Sequence, residues 1–596
     1  MVEFRTEYYT PMDRGYHERA EMAPIRSDAN IEQPITVGDI GQTVPEHDPS
    51  GRFKNILQNV QAAIRGGTGN LQLVFQTPIE SAIGGRPKSY GEEVRTAIRE
   101  VAMAGEVQIT GMEMPTSLTN LSGWDQQRNV VDEEKRQRDL DEVKEMVRFA
   151  AEVGQGGGVD IVSWEYDRPV HRASWWKEGS ADAKSFERLA KEEKRKEEIR
   201  FVDERSGQVV PIGIREGIFV FKDKDKNFQT ISETQEPQKW GYEDFEKYAQ
   251  FLRKQPGKQE YTVYDAIKEH FLESQMNVAA AEASIYRQRL EGAQQMLAEA
   301  ERRNDPRLKA AAEQDITGAK AGIMAQKRTI QEFKERIENW TPMDEYVLKK
   351  SQDSFAEAGI TAMQMQDKSK IPIKQDLYVG PEIGWPNYYG SHPKEFAEMI
   401  LESRKAMQEK LVKQGFSPSR AASEARRHIK GTFDTSHVGM WLQNFQPDKP
   451  WDVRIKNFNK WYKDQVEWLG QVNEKEDIIG GIQAVDSAGA GHGHLPPGQG
   501  ILPVKEAVEI LRKHGYGGHI TSEGHEEEKF GEGRILLKSW QKFNAPISGN
   551  YLGGAAPQRW GNIQQGYFGR TYSPNFMFGA YAPSNEFKLW SDVPLE

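Results

Sequence analysis

The chain contains no cysteine. That excludes disulfides, thiolate metal ligands, iron–sulfur clusters and a cysteine nucleophile, so any metal must be held by His, Asp and Glu. No stretch approaches the ~18 consecutive apolar residues of a membrane span. The opening MVEFRTEYYTPMDRGYHERAEM has no apolar core of the kind a signal peptide needs. The expectation is a cytoplasmic protein with no membrane partner. Positive charge is not in excess either: 79 Lys+Arg stand against 90 Asp+Glu, a net charge of −11. Such a balance gives no global pull toward nucleic acid. What the chain does have is length. Its 596 residues, 37% hydrophobic and 28% charged, are enough for a large soluble core, as one domain with insertions or as several.

Residues 1–68 are polar and punctuated by Pro and Gly, and read as an N-terminal arm. From Leu71 short apolar runs alternate with amphipathic stretches. LQLVF (71–75), VQIT (107–110) and VDIVSWEY (159–166) read as strands, with helices predicted over 92–105 and 130–154. The rhythm stops, then resumes at DLYVG (376–380), HIKGTF (428–433), DIIGGIQAV (477–485) and GHITSE (518–523), again with helical stretches between. Alternating strand and helix is the pattern of a parallel sheet. Seven strand candidates, with an eighth near Ile547–Leu552 or upstream of Leu71, fit a (β/α)8 TIM barrel. Its two parts would be 69–175 and 371–545.

Between them, 176–370 is a charged, mostly helical insertion. Ala279, Ala283, Tyr286, Leu290, Ala293, Leu297 and Ala300 recur at spacings of four and three, and Ile316, Ile323, Ile330 and Ile337 recur every seven. Asn304-Asp305-Pro306 between them is a helix stop, an N-cap and a proline at the first helical position. The prediction is an antiparallel coiled-coil hairpin at about 275–340, with arms of about 45 Å. The tail, 546–596, is rich in Gly and aromatics, among them Tyr551, Trp560, Tyr567, Phe568 and Trp590. Hairpin or tail would serve a homo-oligomer.

The chemistry lies at the ends of the later strands. In a TIM barrel the C-terminal ends of the strands form the active-site rim. Glu382, Asp434, Asp486 and Glu523 each follow one of four successive predicted strands, and Lys430 is the one basic residue inside those strands. Four carboxylates brought that close repel strongly in a shielded cavity, and a divalent cation resolves the repulsion. His437 follows Asp434 by three residues, and His492 and His494 flank a glycine before Leu495-Pro496-Pro497-Gly498-Gln499-Gly500.

These residues carry a resemblance to the xylose isomerase-like TIM-barrel superfamily, which includes sugar isomerases, ketose epimerases and endonuclease IV. Asp434-Thr435-Ser436-His437 is similar to its Asp-Thr-x-His, and Leu495–Gly500 resembles the Pro-Gly-x-Gly loop of ketose epimerases. Glu382 and Glu523 match the family's glutamates, and Asp486 falls where isomerases of the group use an Asp. The resemblance spans 71–172 and 371–540. It implies a metal-dependent isomerase or epimerase of a small-molecule sugar acting through an enediolate, with Glu382 and Glu523 exchanging the proton and His437 assisting. The implied cation is Mn²⁺, Mg²⁺ or Co²⁺, or alternatively Zn²⁺, held by Glu382, Asp434, Asp486, Glu523, His437 and His494. His492, His494, Trp385, Trp164 and Glu113 would bind substrate. Two alternatives stand beside this: an endonuclease IV-like phosphodiesterase on abasic DNA, and a catalytically degenerate barrel serving assembly.

Overall fold

The computed structural model describes residues 35–46, 55–75, 86–115, 117–194, 198–213, 217–231, 236–523 and 534–545. Eight strands close into a parallel barrel: β1 (Ile40–Pro45), β2 (Asn70–Val74), β3 (Gln108–Glu113), β4 (Gly157–Val162), β5 (Leu377–Glu382), β6 (Gly431–Asp434), β7 (Ile479–Gln483) and β8 (Ile520–Ser522). Each strand pairs with its neighbours in chain order, and β1 pairs with both β2 and β8, which closes the ring. This is the (β/α)8 barrel.

The strands obey a period of two. Val159, Ile161, Val379, Phe433, Ile482 and Ile520 are fully or almost fully buried. Phe433, Ile482 and Ile520 belong to one apolar core with helix residues such as Phe396, Ile400, Tyr462 and Leu511. Most alternate positions, among them Gln72, Gly111, Asp160, Thr432 and Gln483, are polar or glycine. The Gln72 amide donates to Asp160 Oδ2 at 3.0 Å. A Cβ on Gly111 would stand 3.7 Å from Gln72 and 3.8 Å from Asp160. Barrel interiors of this type are usually filled by layers of bulky branched side chains. Here a cavity of about 420 Å³ enters at the N-terminal ends of the strands, beside Lys374, Gln375 and Tyr378, and reaches Asp160.

Two boundary expectations need correction. Residues 40–65 are not an arm: they supply β1 and the helix Ile56–Arg65, capped by Asn55. The eighth strand is therefore upstream of Leu71; the alternative near Ile547–Leu552, like the arm's first residues and the aromatic tail, lies outside the described residues. The insertion is also narrower than 176–370. The second compact unit comprises Asp125–Asp132 and Lys191–Tyr346. Phe186 and Ala190 before it, and Ala356, Ile360 and Met363 after it, bury their side chains in the barrel's own core.

Within that second unit, strands Glu198–Asp203, Val209–Gly213 and Trp340–Pro342 form a small sheet over a core that includes Phe201, Trp240 and Phe245. Two long helices, Val263–Arg303 and Pro306–Glu338, pack against each other. Asn304 adopts the left-handed conformation at φ 51°, and Asp305 accepts from the N–H groups of Arg307 and Leu308. Ala279, Ala283, Ala293 and Ala300 face Ala312 and Ala319 along a seam of small buried residues, closed at its edges by Arg289–Asp315 at 2.6 Å and Gln326–Glu282 at 2.7 Å. Among the described residues no helix is long and apolar enough to cross a membrane.

One buried acid outside the barrel mouth gives a testable pH effect. Glu165 is fully buried, and the Ser351 hydroxyl donates to its Oε2. Burial raises its pKa to about 7 against the weaker opposing pull of Ser351 and Lys135. The folded protein thus holds this proton more tightly than the unfolded chain does. The native state carries no ionisation penalty below the ordinary glutamate value, gains one as pH rises toward 7, and keeps it above. The penalty is about 3 kcal/mol when fully developed. Glu165→Gln is therefore expected to raise thermal stability relative to the parent at pH 8 and to lose that advantage at pH 4.5. Equal differences in melting temperature at both pH values would contradict it.

Candidate metal centre at the barrel mouth

The site is assembled from the axis-facing residues at the C-terminal strand ends and from the loop after β7. Asp434 ends β6 and also caps the short helix Thr435–Gly439, its Oδ1 accepting from the N–H groups of Ser436 at 2.5 Å and His437 at 2.9 Å. The Thr435 hydroxyl donates to the carbonyl of Val485 at 2.6 Å, locking β6 to the exit of β7. One helical turn then places His437 on the same side as Asp434. The His437 Nδ1 lies 2.6 Å from the carbonyl oxygen of Ile383 and 3.3 Å from Glu382 Oε1. The Ile383 carbonyl can only accept, which places the ring proton on Nδ1 and the lone pair on Nε2, the tautomer a metal ligand needs. Its Nε2 stands 3.0 Å from the Nε2 of His492.

Asp434, His437 and His492 each offer a ligand atom within 4.8 Å of one another. Asp434 is fully buried, yet its Oδ2 has no hydrogen-bond partner among the described residues. An unsatisfied buried carboxylate oxygen facing two imidazoles fits a divalent cation. Burial pushes the Asp434 carboxyl up, but the imidazoles of His437, His492 and His494 and the His437 N–H outweigh it, so it sits below the usual aspartate range.

Deeper along the axis, Glu113, Asp160 and Glu382 form a second group of ligand atoms within 4.8 Å. Burial, and then repulsion by Glu113, Asp160, Asp434 and Glu523, holds Glu382 well above the usual carboxylate range. Burial and then Glu523 raise Asp160 to about 8. Glu113 is raised by burial first, then by Glu523 and Asp160. Glu523 follows β8, 3.5 Å from the Nε2 of His494. In the ring of eight strands β5 and β8 stand three apart, so Glu382 and Glu523 approach the centre from well-separated directions.

An aromatic wall adjoins the imidazoles. Trp164 and Trp385 have ring centroids 4.7 Å apart, Tyr388 stacks on Trp164 at 5.8 Å, and Trp385 lies 5.8 Å from His492. The close approach requires glycine at 384, where a Cβ would lie 1.8 Å from the Ser163 carbonyl oxygen. Below the wall, Arg168 grips Glu395 with two hydrogen bonds of 2.6 and 2.7 Å.

The ligand set differs from the expected one at Asp486. Asp486 is fully buried, but its Oδ1 accepts from the N–H groups of Ser487 at 2.9 Å and Leu502 at 3.0 Å, and its Oδ2 from those of Gly498 at 2.9 Å and Gly500 at 3.0 Å. Four backbone donors occupy the carboxylate, which clamps the loop and leaves it outside both ligand groups. The strand ends at Gln483, and the period-two alternation turns Gln483, not Asp486, to the axis. Gln483 donates across the barrel to Glu113 Oε2 at 3.2 Å. Other residues also differ in place. His492, expected beside substrate, belongs with Asp434 and His437. Glu113, likewise expected beside substrate, is in the deeper group. His494 pairs with Glu523. Asp160, Gln72 and Gln483 were not foreseen. A charged residue inside the apolar run VDIV was the one signal for Asp160.

No family model matches the chain, and no curated protein matches it. Among solved structures it is similar to one described as "Crystal structure of D-tagatose 3-epimerase-like protein", with 11% sequence identity, 84% of this chain and 97% of that chain covered, and a TM-score of 0.36. A likeness of that degree carries no argument about the site, so the chemistry has to be read from the side chains above.

Proposed function

We propose that the barrel is a divalent-metal-dependent isomerase or epimerase acting on a hydroxy-carbonyl compound of the sugar class. The observation that carries this reading is the convergence of His437 Nε2, His492 Nε2 and the unpartnered Asp434 Oδ2 at the mouth of the barrel. These three residues, with Glu382 beside them, would hold the cation. Two imidazoles and a carboxylate suit Mn²⁺, Co²⁺ or Zn²⁺ better than Mg²⁺. When bound, such a cation polarises a carbonyl oxygen.

The protein's own groups supply the rest. One of Glu382 and Glu523 takes the proton from the carbon next to the carbonyl. The C–H electron pair becomes the C=C bond of an enediol(ate) as the carbonyl π pair moves to oxygen. The other glutamate returns a proton, to the opposite face of the same carbon for epimerisation or to the neighbouring carbon for isomerisation, where the hydroxyl proton also passes to the former carbonyl oxygen as the new carbonyl forms. Burial and the neighbouring carboxylates raise the Glu382 carboxyl well above the usual range, which favours a group that can hold and return a proton. Trp164 and Trp385 offer an apolar wall to the C–H face of a sugar, and His494 orients Glu523.

The test is direct. Protein loaded with Mn²⁺ or Co²⁺ is incubated in D₂O with a panel of ketoses and aldoses and followed by proton NMR. The expected result is deuterium at the carbon next to the carbonyl for at least one sugar, abolished by a chelator and restored by the metal. Absence of exchange across the panel, in protein that binds no divalent metal, would overturn the reading.

A further inference from the structure

The cavity that enters the barrel at the N-terminal strand ends takes no part in the reaction proposed at the mouth. Its volume of about 420 Å³ lies within the roughly 300–1,000 Å³ of small-molecule sites and far exceeds the roughly 10–15 Å³ that holds one buried water. Glycine makes the room. Gly111 and Gly481 line the cavity, and a Cβ on either would meet nothing closer than 3.5 Å. Neither has the positive φ that favours glycine. Local geometry therefore does not require glycine at these two positions; what their missing side chains leave is open space, where barrels usually pack branched residues.

The lining is amphipathic and largely neutral. The Tyr378 hydroxyl, the Gln108 amide and the Thr521 hydroxyl line the cavity and make no hydrogen bond among the described residues. The Tyr378 ring is held in place by two further glycines, since a Cβ on Gly158 or Gly480 would come within 2.5 Å of it. Tyr516 lines the cavity too, its hydroxyl already donated to the His519 carbonyl at 2.6 Å. Toward the entrance the charges are matched: Lys430 pairs with Asp477 at 2.7 Å and Asp376 with Arg427 at 2.6 Å, while Lys374 is exposed. Neutral donors and acceptors without partners, set beside tyrosine rings, suit a ligand that offers hydroxyls on its rim and a C–H face to an aromatic ring.

We propose that this axial cavity is a second small-molecule site, taking an uncharged monosaccharide whose hydroxyls bond to Tyr378, Gln108 and Thr521. It goes beyond the mouth site and does not rest on it.

The probes are the methyl glycosides of xylose, glucose and galactose. Their locked rings carry no free carbonyl, so the chemistry proposed at the mouth cannot act on them. Binding to chelator-stripped full-length protein is followed by saturation-transfer NMR, with circular dichroism confirming the fold of each variant. The expected result is binding of at least one glycoside by the parent, retained in Asp434→Asn, abolished in Gly481→Leu, whose side chain fills the cavity, and weakened about 2- to 10-fold in Tyr378→Phe by the loss of one hydrogen bond. No binding of any of the three by the parent leaves the cavity to water and overturns the proposal. Binding that survives Gly481→Leu, or that is lost in Asp434→Asn, places the sugar elsewhere and overturns it as well, as does unchanged affinity in Tyr378→Phe. Should Gly481→Leu not fold, Gly111→Val carries the same test.

Discussion

Glu523→Gln is expected to lower the rate of deuterium exchange at the substrate carbon by about 10²–10⁴-fold, the usual contribution of a positioned acid or base. That corresponds to about 3–5 kcal/mol of transition-state stabilisation. The substitution keeps the shape of the side chain and its contact with His494, but removes its capacity to exchange a proton. Glu523 lies outside both groups of ligand atoms, so bound metal should not change. The two readouts separate a proton-transfer role from a metal-holding one. Full exchange in the variant removes Glu523 from the chemistry, whereas loss of exchange together with loss of metal makes it a ligand.

Asp486→Ala is the second large effect, and it concerns the loop that carries His492 and His494. The Asp486 backbone pairs with Leu495 in both directions, at 2.8 and 2.9 Å, while its side chain collects the N–H groups of Ser487, Gly498, Gly500 and Leu502. The segment 487–494 is thereby tied at its base. Gly500 fits because no side chain stands there: a Cβ would lie 2.3 Å from Asp486 Oδ1. Alanine at 486 leaves these donors without their acceptor, at about 1–3 kcal/mol for each one that stays buried. A total loss of about 4 kcal/mol or more is expected, read as a large fall in the thermal midpoint. Metal at the mouth should weaken as well, because His492 loses its anchored approach to His437. Asp486→Asn, which keeps one acceptor oxygen, should fall between parent and alanine. A variant as stable as the parent would show that the clamp does not hold the loop.

These two residues also show what the sequence could reveal. Seven of the eight strands were legible because their outward-facing residues are apolar runs. β1 was not: IGQTVP mixes Gly, Gln, Thr and Pro and has no apolar stripe to betray it. Asp434 and His437 stand together because a strand end, a capping residue and one helical turn fix their relation. Asp486 was misplaced because proximity to a strand end locates a residue on the rim without saying which way it points. Counting by two from Gly481 would have selected Gln483. Glu523 and Glu382 follow the alternation and arrive near the axis. The two long helices of the insertion could be read because Asn304-Asp305-Pro306 marks the break between them, while the unit's edges could not, since a helix such as Met343–Lys368 continues past the boundary.

The polar lining of the barrel has a wider consequence. The apolar contacts that drive this chain to fold sit on the outside of the cylinder, under the helices, while Gln72, Glu113, Asp160, Thr432 and Gln483 occupy its bore. Folding and chemistry are therefore written on opposite faces of the same eight strands, in alternating letters. Substitutions at the inner letters can change the lining of the bore while the outer ones keep the scaffold standing, and the bore is approached by a cavity at the strands' N-terminal ends as well as at the mouth.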